Sequence, residues 1–303
     1  MRDIQPLLDK YCTECHNPQK YSGKIDLTPG MGPMFARSYY ELYMADQIVD
    51  GFNRNGNMPP YQFGSGSSKL LKKFEGKHHA KRATDEELNL VKVWLDTGAL
   101  HAGSIAAAES GMLGSYYLNR FVNRDAGWKE IAEMNDVFKK NCASCHSGQK
   151  RLPDMISKDS REQLNWHFTF YVKGKNDPRR RLSAGAVFNL TYPENSAVLN
   201  APLSAKAGGR AGDGRHPVIF TSRGDSRYQT ILKAINKAKN YVETQNPRYD
   251  SPNYKPKGAY LKAMKRYGII KGDNFDNFNA FECDKKYWDK VTAPKPYKCM
   301  QDL

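Results

Sequence analysis

The sequence has no apolar run that approaches the roughly 18 residues a membrane-spanning helix needs, so no transmembrane segment is expected. It shows no secretory leader either and opens directly on MRDIQPLLDKY. Apolar residues are scarce: they fill 39% of the 303 positions, and the mean hydropathy is -0.74. The length suits about two domains, and so polar a chain predicts small cores. Acidic residues are in deficit, 32 against 47 basic ones, for a formal charge of +15. Such a surplus suits nucleic acid, an anionic membrane or an acidic protein partner, or is a solvated basic surface. No nucleic-acid-binding motif accompanies it, so no nucleic-acid partner is expected. Cysteine is rare, with six in all, and four of the six fall in two short strings.

Those strings are KYCTECHNPQKYSGKIDL, residues 10–27, and NCASCHSGQKRLP, residues 141–153. Each holds two cysteines separated by two residues and followed at once by histidine: Cys12, Cys15 and His16, then Cys142, Cys145 and His146. This is the attachment pattern of a c-type haem. Each thiol adds to one vinyl group, and the adjacent histidine lies under the ring where it can ligate iron. A zinc knuckle would need further Cys or His at short spacing. A redox dithiol would sit at the head of a helix, whereas here the helical pattern IQPLLDKYC precedes the first cysteine. Two covalently attached haems c are therefore expected, and they would supply apolar contact surface that the cores lack. Haem is attached to such motifs outside the cytoplasm, so the chain is expected to be extracytoplasmic, a mature or partial chain from which a leader is missing. Cys283 and Cys299 are left over. In an oxidising compartment an even pair favours a disulfide, worth about 3 kcal/mol for a short loop; two unpaired thiols are the alternative.

The expected fold is mainly α, two c-type cytochrome modules with long irregular loops and little strand. The first module covers residues 1–105, a linker 106–115, the second module 116–270, and a tail 271–303. In the first, DIQPLLDKYC places Ile4, Leu7, Leu8 and Tyr11 on one helical face. SYYELYMADQIVDGF reads as a second helix and SSKLLKKFEG as a short third. Thr84 with Glu87 three residues on forms a capping box; it opens a helix whose apolar face is Leu88, Val91, Trp94 and Leu95 and which stops at Gly98. In the second, WKEIAEMNDVFKKNC repeats the lead-in helix, with Ile131, Met134, Val137 and Phe138 as its stripe. Residues 151–224 read as loops with one or two short strands. DSRYQTILKAINKAKNYV is a helix capped by Asp225, and KPKGAYLKAMKRYG another that starts near Pro256 and stops at Gly268.

The axial ligands are partly open at this stage. His16 and His146 are the proximal candidates. Met58, His78 and His79 are candidates for the far side of haem 1. For haem 2 they are His167 and His216, with His216 favoured because it stands in a Gly-rich turn just before an apolar run.

Six segments in order, RDIQPLLDKYCTECH, PPYQFGSGSSKLL, KHHAKRATDEELNLVKVWLDTGA, VFKKNCASCH, VFNLTYPENS and YLKAMKRYGII, resemble the C-terminal dihaem region of the hydrazine synthase alpha subunit and related planctomycete proteins. The resemblance covers most of residues 2–271. In that family the region follows a β-propeller, and nothing propeller-like stands in this sequence. The resemblance implies a catalytic haem 1 whose iron is ligated by a tyrosine after the motif, which Tyr21 matches better than Tyr11. It implies that His16 turns to a zinc ion whose other ligands come from outside the covered region. It implies a bis-histidine haem 2 carried by His146 and His216. The activity implied is part of an oxidoreductase of the anammox type, joining hydroxylamine and ammonia to hydrazine at the open face of haem 1. Partners would then be small nitrogen compounds and other subunits of a multi-haem complex, or an acidic redox protein, and the compartment periplasm-like or the anammoxosome lumen. The alternative is a plain dihaem electron carrier with both haems six-coordinate; a third is a docking module of a larger surface protein. Tyr21 on iron with an open face favours the enzyme, whereas Met58, His78 or His79 on iron favours the carrier.

Overall fold

The computed structural model describes residues 3–30, 32, 36–48, 59, 61–78, 82–99, 101, 127–153, 182, 184–212, 214, 216–245, 256, 258–272 and 279–292. Over these residues the chain is mainly helical with almost no strand. The principal helices are α1 (Gln5–Tyr11), α2 (Arg37–Met44), α3 (Lys69–Phe74), α4 (Asp85–Asp96), α5 (Lys129–Asn141), α6 (Ser226–Gln245), α7 (Gly258–Arg266) and α8 (Ala280–Thr292). The short strands expected in 151–224 are, among the described residues, isolated bridges only: Leu203 with Phe220 and Ser204 with Ala211. None of the described helices is long and apolar enough to cross a membrane.

Two apolar clusters organise the chain. The first gathers Leu7 and Leu8 of α1, Leu42 of α2, Leu70 and Phe74 of α3, and Leu88, Val91 and Leu95 of α4. The second gathers Ile131, Met134 and Phe138 of α5 with Tyr228, Ile231 and Ile235 of α6, closed by Leu199, Leu203 and Phe220. Helices α5 and α6 lie along each other, joined by the Lys237–Glu130 ion pair at 2.7 Å and by the edge of Trp128 on Tyr241 at 5.1 Å. Helix α2 serves both clusters: Tyr39 and Leu42 face the first, Tyr40 and Met44 the second. Being covered on two sides, it buries even Arg37 and Glu41. These pair at 2.5 Å, and Arg37 also donates to the Ala186 carbonyl.

The helix ends follow local chemistry. Thr84 accepts the Glu87 amide at 3.2 Å while the Glu87 carboxylate accepts the Thr84 amide at 2.9 Å, which completes the capping box. Asp225 accepts the Arg227 amide at 2.9 Å and so caps α6. The helix expected over 38–52 ends at Met44, because Asp46 turns left-handed with φ 51° and the chain closes back through the Gln47 amide on the Leu42 carbonyl at 2.9 Å. A small third cluster joins Tyr260 and Met264 of α7 to Cys283 and Tyr287 of α8. Cys283 is a free thiol packed on that cluster; its expected partner, Cys299, lies outside the described residues.

Candidate functional site

The two Cys-x-x-Cys-His strings fold identically. Helix α1 ends as the Cys12 and Thr13 amides both close on the Leu8 carbonyl, at 2.8 and 3.1 Å. The Cys15 and His16 amides then both close on the Cys12 carbonyl, at 3.2 and 2.9 Å. In the second string Cys142 and Ala143 close on Phe138 at 2.9 and 3.1 Å, and Cys145 and His146 on Cys142 at 3.2 and 2.8 Å. The residue before the first cysteine is anchored in each case to a side chain in the first turn of a later helix. The Tyr11 hydroxyl donates to Glu87 of α4 at 2.7 Å, and Arg227 of α6 donates to the Asn141 amide oxygen at 3.0 Å. Lys10 adds a 2.8 Å ion pair to the same Glu87. Hydrogen bonds from Lys10 and Tyr11, then from the Thr84 amide, hold the Glu87 carboxyl down at about 2.

All four motif cysteines are free thiols. Burial pushes the Cys12 thiol up to about 11 and raises that of Cys142. A redox dithiol needs the opposite, a depressed thiol at a helix N-terminus; here both pairs follow a helix C-terminus, where the dipole disfavours a thiolate.

Beside the first string opens a cleft lined by Cys12, His16, Leu27, Leu42, Leu70 and Phe74 together with Lys73 and His78. His78 reaches it through the end of α3. The Gly76 amide closes on Lys73 at 3.3 Å and the Lys77 amide on Lys72 at 3.3 Å, the double closure of a Schellman turn, which the left-handed Gly76 permits with φ 89°. The Nε2 atom of His78 is buried. The His16 and His78 ring centroids lie 5.9 Å apart with planes 27° from parallel. Beside the second string the cleft is lined by Phe138, Cys142, His146, Arg151 and Leu152. The His146 and His216 rings lie 6.1 Å apart, again at 27°, although His216 is not among the residues that line this cleft. A metal–imidazole bond is about 2 Å long, so two imidazoles on opposite sides of one ion set their ring centres about 6 Å apart. Both pairs meet that spacing.

The outer ring nitrogens are also settled. His16 Nδ1 bonds the Ser22 carbonyl at 2.7 Å, His146 Nδ1 the Lys150 carbonyl at 3.1 Å, and His216 Nδ1 the Pro217 carbonyl at 2.9 Å. A carbonyl only accepts, so Nδ1 carries the proton and Nε2 keeps the lone pair for a metal. Gly23, beside the first of these, is left-handed with φ 64°, a backbone conformation that favours glycine.

The other expected residues are placed as follows. Tyr21 is left-handed with φ 45°, and its ring lies 3.9 Å beneath the Arg210 guanidinium. It is not among the residues that line the first cleft. Arg210 also donates to the Pro18 carbonyl at 3.2 Å, so this contact ties the first motif loop to the loop that leads to His216. Tyr11 does line the cleft, with its hydroxyl held by Glu87. Among the described residues no three His, Cys, Asp or Glu gather as for a metal ion. Met58, His79 and His167 lie outside the described residues. Sequence reasoning missed His101, whose Nδ1 is buried and whose Nε2 accepts the Ala36 amide at 2.9 Å, and the three arginines Arg37, Arg210 and Arg227. No protein-family model, curated protein or solved structure matches this chain.

Proposed function

We propose that the chain is a dihaem c-type electron-transfer unit. Cys12 and Cys15 would hold one haem, with His16 and His78 on its iron; Cys142 and Cys145 would hold the other, with His146 and His216. The observation that carries this reading is the pair of histidine couples, one beside each motif, both near 6 Å and both at 27°. When bound, each haem supplies a one-electron redox couple. The chain's own residues do the rest. Two histidines per iron leave no position for a substrate. The carbonyls of Ser22 and Lys150 fix the tautomers of His16 and His146 and make them stronger donors, which favours ferric iron. Leu27, Leu42, Leu70 and Phe74 keep water from the first site. The Arg210–Tyr21 contact and the Arg37–Ala186 contact tie elements around the first site to the stretch 186–210 of the second cluster. The partner that fits the +15 chain is an acidic redox protein or a neighbouring subunit of a multi-haem assembly, in an extracytoplasmic compartment.

The resemblance to hydrazine synthase alpha supports a second reading, in which Tyr21 ligates haem 1, its other face is open to small nitrogen compounds, and the chain is part of an oxidoreductase. His78→Ala separates the two. On the first reading it turns haem 1 from low to high spin and leaves haem 2 unchanged; on the second it leaves the iron spectrum as it was.

A further inference from the structure

We propose that Arg227 is a positioning residue that holds His216 in place opposite His146; the inference rests on the bis-histidine reading of haem 2. His216 stands in a segment with little regular structure to fix it. A turn closed by the Gly212 amide on the His216 carbonyl at 3.0 Å precedes it, and Pro217 and Val218 after it are exposed. His146, by contrast, is built onto the end of α5. Two separate pieces of chain must therefore be kept at the spacing of one iron with two imidazoles.

Arg227 spans them. One arm of its guanidinium donates to the Asn141 amide oxygen at 3.0 Å, and Asn141 immediately precedes Cys142. The other arm donates to the Ile219 carbonyl at 2.7 Å, three residues after His216. The fork is aimed by Asp225, which accepts from Nε at 3.0 Å and from the second arm at 2.7 Å. Asn141 is aimed in turn, because its amide nitrogen donates to the Val137 carbonyl at 2.9 Å and leaves its oxygen for Arg227. The backbone of Arg227 belongs to α6, which packs along α5, so the brace stands on the rigid part of the module. A planar fork with several donors can serve all three acceptors at once; a lysine cannot.

The test compares the wild-type holoprotein with Arg227→Met, Arg227→Lys and Asn141→Ala. His216→Ala and His78→Ala serve as references in which haem 2 or haem 1 alone is opened. The probe is carbon monoxide mixed with the reduced protein and followed in the Soret band, since it binds only when an axial histidine has left the iron. In Arg227→Met the haem that His216→Ala opens should take up carbon monoxide about tenfold faster than in the wild type, the weight of one charge-assisted hydrogen bond. The other haem should be unchanged. Arg227→Lys should fall between, and Asn141→Ala should quicken the same haem with the arginine still present. A general loss of stability would instead quicken both haems alike, and that result counts against the proposal. Unchanged uptake at haem 2 in Arg227→Met and Asn141→Ala overturns it, and Asn141→Ala decides alone if Arg227→Met does not fold. If His216→Ala opens neither haem, the bis-histidine reading of haem 2 is what fails.

Discussion

Acid should weaken the first module through His101, by an amount the structure fixes. The ring is buried against Tyr39, with centroids 5.0 Å apart, and its Nε2 accepts the Ala36 amide at 2.9 Å. Protonation at Nε2 would remove that acceptor and place a charge in the core. Burial accordingly holds the imidazole down at about 3, against 6.5 for an ordinary histidine. In the window between those values the unfolded chain binds a proton that the folded chain refuses. The histidine's contribution is therefore present in full above pH 6.5 and is lost as the pH falls towards 3. Integrated over a shift of this size, the loss is about 2 kcal/mol between pH 7 and 5 and about 1.4 kcal/mol for each further unit. The assay is guanidinium unfolding of the holoprotein at pH 7 and pH 5, for the wild type and His101→Leu. The leucine variant should be less stable at pH 7, because the Ala36 amide loses its acceptor. Its deficit should shrink by about 2 kcal/mol at pH 5, since the remaining titrating groups are common to both proteins and cancel. A deficit that is the same at both pH values refutes the reasoning.

Phe74 is 2% exposed, lines the first cleft and meets the Tyr11 ring edge-on at 5.8 Å, so Phe74→Ala should cost about 3–5 kcal/mol, read as a lowered unfolding midpoint. Thr84→Ala removes the cap of α4 and should cost about 1 kcal/mol in the same assay. Tyr21→Phe keeps the ring under Arg210 and should leave the haem 1 spectrum and potential unchanged; loss of a phenolate charge-transfer band in that variant would favour the open-site reading instead.

How much of this was legible in the sequence depended on range. Where a signal is local, reading succeeded: the apolar stripes of α1, α4 and α5, the Thr84 box, the α6 helix with its Asp225 cap, and the stop at Gly268 all come from residues within a few positions of one another. The preference for His216 over His167 rests on its Gly-rich turn just before an apolar run, and His167 lies outside the described residues. The early end of α2 was missed because a left-handed Asp46 carries no strong sequence mark. Arg37 reads as a surface cation until its partners are seen, and the Ala186 carbonyl lies 149 residues away. Spacing leaves Met58, His78 and His79 open, since what brings His78 beside His16 is the turn the chain takes at Gly76 after α3. Arg227 was invisible for the same reason: one of its acceptors, Asn141, lies 86 residues away.

The central claim is that both irons are held by two histidines, and electron paramagnetic resonance of the fully oxidised wild-type protein tests it most directly, because it counts spin states haem by haem. Imidazole planes 27° from parallel in both pairs should give ordinary rhombic low-spin signals, integrating to two ferric haems per chain, with no high-spin component. A high-spin signal equal to one haem per chain would contradict the account and leave haem 1 open to substrate.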